Sequence, residues 1–173
     1  MQMFTKHFML AEQFDKLLFF ALIAGSLLAL GISRFIGWNS SPSAAPVGFY
    51  WREKPQLQRG QLVEVCLPYN WAQFAIERGY IAHSRRCPDG SEPLAKTIVG
   101  MPGDTLWIDP ATVLKEDTLG RPMPHVFGLQ HVGTGQIWLF GSARNSFDSR
   151  YFGEVPAANV IANMTPLWTW GSK

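Results

Sequence analysis

A chain of 173 residues is long enough for one compact domain and an anchor, and too short for two full domains. Charged residues make up only 16% and the net charge is +2, so there is no basic run to hold nucleic acid. With 16 glycines, 12 prolines and no internal repeat, the composition favours a turn-rich β architecture over a helix bundle.

Residues 17–33 carry no charge, a length at the short end of what spans a bilayer core of roughly 30 Å. Arg34 is placed to snorkel to the headgroups beyond, and Trp38 falls where an interfacial aromatic would. A cleaved signal peptide, ending at Ala29-Leu30-Gly31, and a buried core helix are the other readings of this stretch. Glu12 and Asp15 beside Lys6 and Lys16 make a poor signal-peptide head, which favours an uncleaved anchor. Charge does not orient the span, since Arg34, Arg52 and Lys54 beyond it match Lys6 and Lys16 before it. Cys66 and Cys87 are the only cysteines, both past the anchor. An even count there points to a disulfide in an oxidising compartment, outside the cytoplasm. Two unpaired thiols, or a zinc site with His83, are the rival readings, and the latter lacks paired ligand spacing.

Residues 39–46, rich in Ser, Pro and Ala, read as loop. Residues 48–51, three of them aromatic, open a strand, in which Phe49, Tyr50 and Trp51 either dip into a membrane interface or enter the core. Residues 62–67 form the next strand. Asn70 is expected to cap a short helix through Arg78, with Trp71, Phe74 and Ala75 on one face and Gly79 as its stop. Strands follow at 94–101 and 105–108, joined by a turn at Pro102-Gly103-Asp104. Residues 109–131 read as an irregular loop or short hairpin, 136–140 as a strand, and 160–163 as the strand closing the domain. One short helix among many short strands predicts a mostly β, barrel-like domain after the anchor.

Within one face of the 94–101 strand, Lys96 lies between Leu94 and Ile98. It is there either as an edge charge or as a desolvated base. A serine hydroxyl needs a base that is unprotonated near neutral pH, and a free lysine, at about 10.4, is the wrong one. Bringing it to about 7–8 requires roughly 4 kcal/mol of differential cost, which burial can supply. The four histidines are scattered with no partner pattern, against a Ser–His–Asp triad. The Gly100-Met101-Pro102-Gly103 turn lacks the Gly-Lys-Ser/Thr of a phosphate loop.

Three segments in order carry a resemblance. Residues 96–104, Lys-Thr-Ile-Val-Gly-Met-Pro-Gly-Asp, are similar to the Lys-Arg-Val-Val-Gly-Leu-Pro-Gly-Asp box of type I signal peptidases, with Thr97 for the usual Arg. Residues 145–156 are similar to the same superfamily's Asn-Ser-x-Asp-Ser-Arg-Tyr-Trp-Gly-x-Val-Pro box, with Phe152 for Trp. Residues 39–50 look like the Asn-x-Thr-x-Ser…Pro-x-Gly-Leu-Tyr motif of TraF-type conjugation peptidases.

The resemblance implies a serine peptidase with Ser43 as nucleophile and Lys96 as general base. Ser41 would assist the oxyanion, Ser146 would hold the lysine amine, and Asp148 and Arg150 would form a supporting pair. Ala44 and Ala45 separate Ser43 from Pro46, where the conjugation branch has one residue and general signal peptidases have two. Counted back from Pro46 the position falls on Ala44; counted from Asn39 and Ser41 it falls on Ser43, which is retained.

No cofactor and no metal are implied. The resemblance places the chain in a bacterial inner membrane. Residues 1–16 would be a cytoplasmic tail, 17–36 the transmembrane anchor and 37–173 a periplasmic β-rich peptidase domain. A pilin precursor is the expected substrate, membrane lipid and proteins of the conjugation (type IV secretion) channel the other partners, with pilin cyclisation as an open outcome. A general type I signal peptidase and a catalytically inactive assembly factor of that channel are the competing readings.

Overall fold

In a computed structural model, residues 2–171 are described, with side chains from Lys16 onward. The chain divides after Ile36 into two compact units. The first is a helix, α1 (Gln2–Ser33), so the residues expected as a tail are helical along with the apolar run. From Lys16 to Ser33 its side chains are exposed and apolar enough to cross a membrane, which sets aside the core-helix reading. The hydroxyls of Ser26 and Ser33 are satisfied within the helix, by the carbonyls of Leu22 and Leu30. Such back-bonding lets serine sit in an apolar segment.

The second unit is mostly β, as its turn-rich sequence requires. It contains β1 (Ile36–Asn39), β2 (Val47–Glu53), β3 (Leu62–Val65), α2 (Tyr69–Glu77), β4 (Leu94–Gly100) and β5 (Thr105–Ile108). These are followed by β6 (Gly128–His131), β7 (Gln136–Phe140), α3 (Ser149–Phe152), β8 (Val155–Pro156) and β9 (Val160–Trp170). Seven strands form one sheet in the order β1-β2-β9-β3-β4-β7-β8, and β5 and β6 form a separate hairpin. The final strand thus lies in the middle of the sheet, antiparallel to β2 on one side and to β3 on the other.

That strand is longer than expected from sequence, because Pro166 argues against a strand interior. Its missing N–H is tolerated by an irregularity: the β2–β9 register shifts between Phe49 and Tyr50, opposite Pro166. The turn after β4 forms as expected. Asp104 N–H donates to the Met101 carbonyl at 3.0 Å, with Gly103 at a positive φ of 87° that a side chain would resist. Asn70 is not the cap of α2. The helix begins at Tyr69 behind Pro68, with no side-chain cap, and the Pro68 carbonyl accepts the N–H groups of Trp71 and Ala72.

The core packs Val63, Val65, Ile98, Ile137 and Leu139 of the sheet against Ala72 and Ala75 of α2 and the aromatic rings that follow β7. Trp71 and Phe74 of α2 lie 6.4 and 5.8 Å from the Phe147 ring, which itself sits 5.2 Å from Phe152. Cys66 and Cys87 are joined in a disulfide, both buried, so neither sulfur is available to a metal. Residues 109–131 fold around one carboxylate. Asp117 accepts from the N–H groups of Leu119 and Arg121, the Arg121 guanidinium and the Tyr80 hydroxyl. Burial alone would raise its pKa, but these hydrogen bonds hold it well below the usual carboxylate range.

Of the three aromatics at the start of β2, Tyr50 enters the core and Trp51 is half-buried. Phe49 instead joins Trp38 and Trp170 in an exposed cluster, with ring centres 4.9 to 6.0 Å apart, and Trp168 stands beside them.

Candidate active site

Three separate stretches of chain meet at one cleft of about 360 Å³. The β1–β2 loop supplies Ser41 and Ser43, β4 supplies Lys96, and the loop between β7 and α3 supplies Ser146. Alternation along β4 turns Lys96 and Ile98 inward, and Lys96 is 2% exposed. Its Nζ lies 3.3 Å from Ser43 Oγ and 2.8 Å from Ser146 Oγ. Ala44, the alternative register for the nucleophile, is buried, while Ser43 is half-buried and faces the amine. Burial lowers the Lys96 pKa from 10.5 to about 8; Asp148 works against this and Arg150 with it.

Asp148 and Arg150 lie behind the amine. The fully buried Asp148 carboxylate accepts from Arg150 Nη2 at 2.7 Å and Nε at 2.8 Å, and from the Gly141 N–H at 2.9 Å. Arg150 spreads its remaining donors over the carbonyls of Thr112, Gly141 and Ala143, with its guanidinium 4.6 Å from the centre of the Phe140 ring. The bonds to Gly141 and Ala143 fix the strand-to-loop bend that carries Ser146, and the bond to Thr112 ties that bend to the turn after β5. The same bend reaches the nucleophile loop, because Ala143 N–H donates to the Ser43 carbonyl at 3.0 Å.

Gly141 sits at the tightest point. A Cβ there would meet Ser146 Oγ at 1.9 Å and the Ser43 carbonyl at 2.7 Å. Ser41 is exposed on the cleft wall, its N–H directed to Asn39 Oδ1 at 3.4 Å. The structure therefore brings Ser43, Lys96 and Ser146 together, stacks Asp148 and Arg150 behind them, and leaves Ser41 at the rim.

Sequence reading assigned nothing to Gly141 or to the buried carboxylate of Glu64, which lines the cleft held by Arg52 and Arg86. A glycine after a strand is too common a signal to single out. Glu64 reads as an ordinary strand charge until its two arginines, 12 and 22 residues away, are seen beside it.

A serine hydroxyl in contact with a desolvated amine, itself held by a second hydroxyl, stands in a mostly β domain, and the chemistry open to such a pair is attack by the serine with the amine as proton acceptor. Residues 11–169 match the family of signal peptidases, peptidase S26, and the chain belongs to it. It is 30% identical to a plasmid transfer protein TraF of Escherichia coli, over 92% of this chain and 99% of that protein. It is 32% identical to a conjugal transfer protein TraF of Agrobacterium fabrum, over 86% of this chain and 91% of that one. Subunit 1 of the mitochondrial inner membrane protease of Schizosaccharomyces pombe is 35% identical over 54% of this chain and 55% of its own length.

Proposed function

We propose that this protein is a membrane-bound serine endopeptidase that cleaves a membrane-inserted precursor, a conjugative pilin, through an acyl-enzyme on Ser43. The observation that carries the reading is the buried Lys96 Nζ at 3.3 Å from Ser43 Oγ with its pKa lowered to about 8. At that value a useful fraction of the amine is neutral near physiological pH. Neutral Nζ takes the hydroxyl proton of Ser43 while donating to Ser146, and Oγ attacks the scissile carbonyl. Ser43 N–H and the Ser41 hydroxyl would receive the developing oxyanion. Lys96 then returns the proton to the leaving amine as the peptide C–N bond breaks. The ester left on Ser43 is resolved by water, or by the substrate's own amino group, which would close the pilin into a ring.

The substrate class rests on the relatives, named for plasmid and conjugal transfer, and on the apolar helix preceding the peptidase unit. Ser43 lies ten residues past Ser33, within about 35 Å of extended chain, so the nucleophile works close to the bilayer. The exposed Trp38, Phe49, Trp168 and Trp170 cluster fits lipid headgroups, where aromatic rings are favoured. The disulfide supports a periplasmic location for this unit.

Co-expression with a conjugative pilin precursor, read by intact mass, tests the proposal. Wild type should shorten the precursor, and Ser43→Ala and Lys96→Ala should not; a product lighter by one further water marks cyclisation. Processing by Ser43→Ala would move the nucleophile to Ser41 or Ser40. A wild type that leaves the precursor intact would favour an assembly role, and rescue of a signal-peptidase-depleted strain would favour a general signal peptidase.

A further inference from the structure

The loop that presents Ser43 has no regular structure of its own, yet a nucleophile must be held to within a fraction of an ångström. Asn39, at the end of β1, is 7% exposed and lies beneath this loop. Its Nδ2 donates to the carbonyls of Ser41, Ala45 and Pro46 at 2.9, 3.0 and 3.0 Å. Its Oδ1 accepts the Ser41 N–H. Two amide hydrogens serve three carbonyls, and both ends of the serine loop are drawn to one side chain. The orientation is unambiguous, because the flipped amide would set Oδ1 against three carbonyl oxygens.

A second tie closes the same turn: the Tyr50 hydroxyl donates to the Pro46 carbonyl at 2.7 Å. A third comes from the opposite side, where Ala143 N–H holds the Ser43 carbonyl. With its carbonyl so engaged, the N–H of Ser43 makes no hydrogen bond among the described residues, and it remains free for an oxyanion.

We propose that Asn39 is the positioning residue of this site, gathering the carbonyls of residues 41–46 so that Ser43 meets both Lys96 and the substrate carbonyl in register. It touches no reacting atom and acts through the loop. The proposal rests on the reading of Ser43 as nucleophile. It also explains the residue type. An aspartate has the same shape, but its carboxylate would repel all three carbonyls, and it brings no hydrogen to them.

The test uses the full-length chain in detergent micelles and p-nitrophenyl acetate as acylating probe. p-Nitrophenolate release gives the rate, and peptide mass locates the acetyl group. Wild type should take one acetyl on Ser43, faster as pH rises and then level. Asn39→Ala and the isosteric Asn39→Asp should each slow the step about 100-fold, the scale of an ångström's misplacement. In Asn39→Ala, which brings no charge into the cleft, the midpoint of the pH profile should stay where wild type has it. Tyr50→Phe, which removes one of the two donors on the Pro46 carbonyl and leaves Asn39 in place, should slow it less.

A merely structural Asn39 would act through its volume, so Asn39→Asp would then keep the wild-type rate. That result, or a wild-type rate in Asn39→Ala, overturns the proposal. Should both Asn39 variants fail to melt cooperatively, Asn39→Ser takes their place: its shorter side chain cannot reach the three carbonyls, and a wild-type rate in it overturns the proposal. Equal acetylation of Ser43→Ala and wild type is a separate outcome, and it strikes down the nucleophile reading on which Asn39's role depends.

Discussion

Taking Lys96 out of water disfavours its proton, and this acts in opposite directions on rate and on stability. Only the neutral amine can accept the Ser43 proton, so the acylation rate should rise about tenfold per pH unit below the lowered pKa of about 8 and level off above it. The folded state meanwhile carries a penalty that the unfolded chain does not. Below about 8 both states are protonated and the penalty is complete; between about 8 and 10.5 the unfolded state binds more protons, so stability climbs with pH; above 10.5 the penalty is gone. Lys96→Met should therefore abolish acylation at every pH while gaining up to about 3 kcal/mol relative to wild type at pH 7, a gain that shrinks toward pH 10.5. Urea denaturation at several pH values measures it, and an equally stable or weaker Lys96→Met at pH 7 would refute the account. At Gly141 the reverse holds, because a methyl there must push Ser146 and the Ser43 carbonyl apart. Gly141→Ala should cut acylation by about 100-fold, read with the same activated ester.

That Ser43, Lys96 and Ser146 would meet was legible in sequence because they lie in three contiguous boxes whose order is characteristic. Asn39 was legible as part of a motif but not as a device, since its role depends on carbonyls brought near by loop closure. Gly141 and the Arg52–Glu64–Arg86 cluster were not legible, because their partners are remote in the chain and their residue types are common.

At the scale of elements, alternation and turn chemistry located β5 and β7 to the residue and placed the remaining long strands closely. What alternation missed was short or contradicted by a local signal. The two-residue β8 offers too few positions to show a period, β1 begins where the anchor was expected to end, and β6 lies inside the stretch read as an irregular loop or short hairpin. The far half of β9 was hidden by Pro166, and only its pairing with β2 makes it a strand. The short α3 owes its start to Asp148, whose carboxylate caps the Arg150 N–H at 3.1 Å while also pairing with the Arg150 guanidinium. Removing one partner of so deeply buried a pair leaves the other uncompensated. Asp148→Asn and Arg150→Ala should each destabilise the protein by about 3–5 kcal/mol, measured by denaturant unfolding, and should lower activity with it. Wild-type stability in either variant would show that the pair is dispensable to the fold.

For the whole molecule, the covalent tie and the aromatic surface set where the peptidase unit can work. The Cys66–Cys87 bridge, across a sequence separation of 21, attaches the segment carrying Arg86 to the end of β3. Opening it with the double substitution Cys66→Ala/Cys87→Ala should cost about 3 kcal/mol, visible as a lower melting temperature that reductant does not change further. A double variant as stable as the oxidised wild type would count against any structural use of the bridge. Replacing Trp168 and Trp170 together by Ser should weaken flotation of a fragment comprising residues 37–173 with anionic vesicles, provided that fragment melts cooperatively; undiminished flotation would place lipid contact elsewhere.

The order of strands in the sheet has a consequence for biosynthesis. Within the sheet, the strands flanking Ser43 pair with those bearing Lys96 through β9, which the ribosome makes after all the others described. Until residues 160–170 have emerged and threaded between β2 and β3, hydroxyl and amine belong to two unconnected pieces of chain. The nascent chain then holds both residues of the candidate dyad but not the sheet that brings them together.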